Sequence, residues 1–99
     1  LSYASDVQTI MQQYNCTGCH NGQMGTYGQL MNAEAGDYRA NQSFVGLPWI
    51  DPGNPSGSYL YLKINSSPPA GNQMPPGPNS LNASQIATVN QWILDGANP

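Results

Sequence analysis

The chain has 99 residues, of which 16 are Leu, Ile, Val or Phe, while Gly and Pro contribute 11 and 9. It therefore reads as one small domain over 1–99 whose aliphatic side chains alone make a thin core. A formal charge of −3, with Arg39 and Lys63 the only basic side chains, excludes the electrostatic footprint of nucleic-acid or anionic-membrane binding, and no apolar run nears the roughly 20 residues that cross a bilayer.

The first predicted helix opens at Ser5, with Gln8 three residues on as a capping box and Asp6 in its first turn. Tyr3, Val7, Ile10, Met11 and Tyr14 fall on one helical face, and the helix is expected to run directly into Cys16. A Gly- and Pro-rich loop, 20–53, follows, with one short helix near Leu30 to Ala35. Asn54 as cap and Pro55 at the first helical position open a second main helix through Tyr59, Leu60, Lys63 and Ile64, which stops before Pro68 and Pro69. After a second loop, 65–81, Asn82 and Gln85 form a capping box and Leu81 is placed to staple on Ile86. Ile86, Val89 and Ile93 make the stripe of this third helix, Trp92 flanks it, and Gly96 ends it. No stretch alternates with period two, so the fold class is all-α.

Cys16-Thr17-Gly18-Cys19-His20 is the motif that carries chemistry. Cys-x-x-Cys-His is the attachment signature of c-type haem: two thiols two residues apart reach both vinyl groups on one porphyrin edge, and the next residue sets an imidazole under the iron. A structural zinc site needs four ligands, and this chain holds two Cys and one His. A thioredoxin-like dithiol expects an α/β context that the sequence lacks, and a plain disulfide does not account for the adjacent His. Haem c, covalently bound through Cys16 and Cys19, would also supply the apolar body missing from the composition.

His20 is the single histidine, which excludes bis-histidine ligation within the chain and leaves a methionine, a weaker donor or nothing as sixth ligand. Met11 lies on the apolar face of the first helix, Met24 follows His20 too closely to cross the ring, and Met31 reads as packing. Met74, in the Gly71 to Gly77 loop and followed by Pro75 and Pro76, is the candidate ligand, because two prolines stiffen the loop that presents it. His and thioether ligation raises the reduction potential and fills both axial positions, leaving outer-sphere one-electron transfer.

With those residues in view, the chain resembles the class I c-type cytochromes, more narrowly the small planctomycete-type mono-haem domains. The likeness is carried by Asp6 to His20, Asp51 to Pro55 leading to Ser58-Tyr59-Leu60-Tyr61, Met74-Pro75-Pro76, and Leu81-Asn82 to Gln91-Trp92-Ile93-Leu94-Asp95-Gly96-Ala97. It implies three main helices wrapped with their loops around one haem, the first and last crossing so that Val7, Ile10, Met11 and Tyr14 meet Val89, Trp92 and Ile93. It also implies an electron carrier rather than an enzyme, working between a redox donor and acceptor, or a haem module of a larger redox enzyme. A haem with a labile or vacant sixth site, acting on peroxide or gases, is the alternative.

No Pro stands between His20 and Pro48, so a carbonyl near Leu30 is expected to take the imidazole N–H, a bond that orients the ligand and tunes the iron. The scarcity of lysine predicts weak electrostatic steering of partners, and a monomer or weak oligomer. Arg39, Lys63, Trp49, Tyr59 and Tyr61 are the candidate donors to the haem propionates, with Arg39 and Trp49 favoured. A start at Leu1 is consistent with a processed, exported protein or with a trimmed chain, and a covalent haem implies a bacterial periplasmic or otherwise exported location.

Overall fold

The computed structural model describes residues 1–16, 24–34, 46–65, 73–75 and 80–99. Among them are four α-helices, α1 (Gln8–Gln13), α2 (Tyr27–Asn32), α3 (Tyr59–Ile64) and α4 (Ala83–Leu94). A π-turn over Tyr3–Val7 leads into α1, and a 3₁₀ turn over Pro55–Gly57 precedes α3. The described residues hold no strand, and Glu34 and Pro48 form an isolated antiparallel bridge.

The helix start lies three residues earlier than the sequence predicts. Ser2, not Ser5, caps it: the Ser5 N–H donates to Ser2 Oγ at 3.1 Å, and the Ser2 N–H donates to Asp6 Oδ2 at 2.8 Å. This is a reciprocal cap in which the wider π-turn brings a residue four positions on, Asp6, to the place usually held by one three positions on. The other end differs too. α1 stops at Gln13, and Asn15 takes a left-handed backbone (φ 53°) before Cys16. Asn tolerates that region better than other side-chain-bearing residues, so it ends the helix as a glycine would.

The helix expected from Pro55 onward is broken at Ser58. Its buried hydroxyl accepts from the Asp51 N–H at 2.8 Å and donates to the Asn54 carbonyl at 2.9 Å, holding the backbone extended. Side-chain bonding of this kind competes with helical pairing. α3 then starts afresh, its first two amides donating to the carbonyls of Pro48 (2.9 Å) and Trp49 (3.0 Å). α3 ends at Ile64, short of Pro68, as predicted. The short helix α2 lies earlier than Leu30 to Ala35, because Thr26 caps it through Gln29 N–H at 3.1 Å.

α4 follows the sequence reading closely. Asn82 and Gln85 exchange both bonds of the capping box, at 2.8 and 3.0 Å. Leu81 is buried, and Ile86 is packed on the core. At the far end Gly96, with φ 104°, sends its N–H to Ile93, and Ala97 sends its own to Trp92 at 2.9 Å. That pair of bonds is a Schellman motif, which the left-handed glycine makes possible.

The core forms where the first and last segments meet. Val7, Val89, Trp92 and Ile93 are fully buried. The Tyr3 ring lies against Tyr27 and Trp92, with centroids 5.6 and 5.9 Å away. Asn98 closes this end, its carbonyl accepting from both the Tyr3 N–H and the Trp92 indole N–H at 2.9 Å.

Candidate functional site

A cleft runs between α1 and α3. About 710 Å³ of space lies between its walls when the open solvent at the mouth is included. One wall comes from the first helical segment: Ile10, Met11 and Tyr14, then Asn15 and Cys16 beyond the helix end. The second comes from α3, whose Tyr59, Leu60, Lys63 and Ile64 all lie on its buried face, with Trp49 beside them. Met24, Met74, Pro75 and Leu81 complete the lining.

Each wall is tied to the rest of the molecule. Tyr14 donates its hydroxyl to Gln85 Oε1 at 2.7 Å, which links the end of the first helical segment to the start of α4. The Trp49 N–H donates to the Ala33 carbonyl at 2.9 Å. Together with the α3 amides on Pro48 and Trp49, this fixes the indole-bearing segment between α2 and α3. The Met74 N–H donates to the Lys63 carbonyl at 2.7 Å, so the 73–75 segment is held to the end of α3.

The lining is almost wholly apolar, and no Asp or Glu belongs to it among the described residues. Among the described residues Lys63 is its one basic side chain, and burial pulls the Lys63 amine below its ordinary range. Burial pushes the Tyr3 phenol up, with a smaller contribution from the negative charge of a Cys16 thiolate. Cys16 lines the cleft and is packed, half-buried, against the core.

Of the residues singled out in the sequence, Cys16, Met74, Trp49, Tyr59 and Lys63 meet in this one cleft. Tyr61 does not line it; it is half-buried against the core on another side of α3. Cys19, His20 and Arg39 lie outside the described residues. The Leu30 carbonyl accepts the Ala33 N–H at 3.2 Å, and Met31 packs on the core as read. Sequence reasoning passed over Met24, which is buried in the lining with Met11, so three thioethers face the same space. Its lining position had no sequence signal, because it depends on where the chain re-enters after the motif.

Among the described residues no helix is long and apolar enough to cross a membrane. No protein-family model, no curated protein and no solved structure matches this chain.

Proposed function

We propose that this protein is a mono-haem c-type cytochrome that carries single electrons between redox proteins. Haem c would be attached through Cys16 and Cys19, and His20 and Met74 would be the residues that hold its iron. One observation carries the reading: the first cysteine of the Cys-x-x-Cys-His motif and the methionine of the Met-Pro-Pro loop, 58 positions apart in sequence, line the same apolar cleft. The residues fit the group. A flat apolar macrocycle matches walls of Ile10, Leu60, Ile64 and Leu81, and a carboxylate-bearing edge matches a wall whose charge comes from Lys63.

When bound, haem supplies a one-electron couple that needs no bond to a substrate. The chain's part is to exclude water and to weight that couple. Apolar walls would disfavour the extra positive charge of an oxidised iron, and the Met74 thioether, as a ligand, would act in the same direction. Trp49 and Tyr59, buried in the wall, bring an N–H and an O–H suited to a carboxylate. Attachment of this kind takes place outside the cytoplasm, so the protein works in the periplasm or another exported location.

The test is the visible spectrum of the dithionite-reduced holoprotein before and after carbon monoxide, for wild type, Met74→Ala and Met24→Leu. Wild type and Met24→Leu are expected to stay low-spin and untouched by the gas. Met74→Ala should take up carbon monoxide and lose at least ~59 mV of midpoint potential, a tenfold change for one electron. Rapid uptake by wild type would replace the carrier reading with ligand binding or peroxide chemistry. Absence of a haem band in protein made with its maturation machinery would end both.

A further inference from the structure

We infer that Gln73 is the positioning residue that sets Met74 in the cleft; this rests on the reading of Met74 as an iron ligand. A helix leaves its last four carbonyls without intrahelical donors. At the end of α3 three of them are taken up from outside the helix. Tyr61 accepts from Asn65 Nδ2 at 2.6 Å, Lys63 from the Met74 N–H at 2.7 Å, and Ile64 from Gln73 Nε2 at 2.8 Å.

Two of these three bonds come from adjacent residues of the 73–75 segment, one through the main chain and one through a side chain. A single bond from Met74 N–H leaves the segment free to swivel about it. The second, from Gln73, removes that freedom and fixes the direction in which the Met74 Cα–Cβ bond leaves the backbone. The anchor is also well chosen, because Lys63 and Ile64 belong to the buried face of α3 that forms the cleft wall. Met74 is thus referred to the same rigid element that any occupant of the cleft leans on. Small displacements of a ligating atom weaken its bond, so a residue that limits them governs how firmly the site stays closed.

The geometry is specific to the length and donor of this side chain. Gln73→Leu keeps the bulk and removes the N–H; Gln73→Asn keeps the amide and shortens its reach by one methylene. Gln73→Lys restores a donor of sufficient reach.

The experiment compares reduced holoprotein of wild type, these three variants and Met74→Ala by the rate of carbon monoxide binding. In the oxidised state it follows the methionine–iron charge-transfer absorption. Gln73→Leu and Gln73→Asn are expected to bind the gas at least tenfold faster than wild type and to weaken the charge-transfer band, while Gln73→Lys returns both toward wild type. A general loss of stability would not be reversed by lysine alone. Wild-type behaviour in Gln73→Leu, with Met74→Ala opening the iron, would overturn the role of Gln73 and leave the cytochrome reading standing. No change in Met74→Ala would remove both.

Hydrogen exchange in the wild-type holoprotein gives a readout independent of any variant's folding. The Met74 amide and the Gln73 side-chain amide should both be protected, and free exchange of the Gln73 amide would overturn the proposal.

Discussion

At the scale of single residues, Tyr3 shows how a buried side chain couples stability to pH. Its phenol is raised above the ordinary value of 10.0, first by burial and second by Cys16. A group whose folded pKa lies above its unfolded one contributes stability that is complete below the unfolded value and lost as pH rises through the folded value. Unfolding free energy should therefore fall as pH climbs past about 10, and Tyr3→Phe should flatten that fall, as followed by urea denaturation across the alkaline range. Lys63 works in the opposite sense: its amine is lowered by burial, so its contribution is complete above 10.5 and lost as pH falls through the folded value. In the proposed haem adduct Cys16 would be an uncharged thioether, so burial alone would raise Tyr3 and the total alkaline loss of stability should be smaller.

At the scale of elements, α4 and the first helical turn differ in how far sequence reasoning reached. The box of Asn82 and Gln85 was legible because its bonds span three residues, and both partners are named in the sequence. Asn82→Ala should cost about 1 kcal/mol. Gln85→Ala should cost more, about 1–2 kcal/mol, since Gln85 Oε1 also receives the Tyr14 hydroxyl from the other helical segment. Thermal melts of the two variants, with Tyr14→Phe as the common reference, would check the order. The start at Ser2 and the break at Ser58 were not legible. A π-turn moves the reciprocal partner from the third to the fourth position, and the Ser58 hydroxyl is claimed by Asp51 and Asn54, whose nearness is set by a turn. The stop of α1 at Asn15 was missed for a related reason, because a left-handed residue can end a helix without being glycine. For the site, the Cys-x-x-Cys-His motif and Met74 were singled out from residue types and the structure brings Cys16 and Met74 to one cleft, whereas the Met24 lining position and the Gln73 anchor depend on where distant segments come to rest.

At the scale of the whole molecule, the radius of gyration of 12.3 Å is that of a packed chain, about 13 Å for such a length, yet an apolar cleft lies between α1 and α3. Packing therefore divides into two parts: a closed end around Tyr3, Trp92 and Ile93, and an open end with apolar walls, which the proposed haem would cover. A ligand that binds the folded chain alone stabilises it by mass action, and a covalent one does so at any concentration. Replacing Cys16 and Cys19 by serine and producing the chain without haem should remove at least ~2 kcal/mol, a fall of about 8–16 °C in Tm for a domain of this size. Equal melting with and without haem would mean that the cleft walls close on one another.

The Asn98 carbonyl, which receives both Tyr3 and Trp92, has a consequence in the mechanics of the chain. It places residues 3 and 98 side by side, so tension applied through the two end segments does not stretch the core along its length. It should load the Leu1 amine–Asp95 ion pair, at 3.6 Å, and the Tyr3–Asn98 bond before it reaches the walls of the cleft, opening the structure from that end as a zipper.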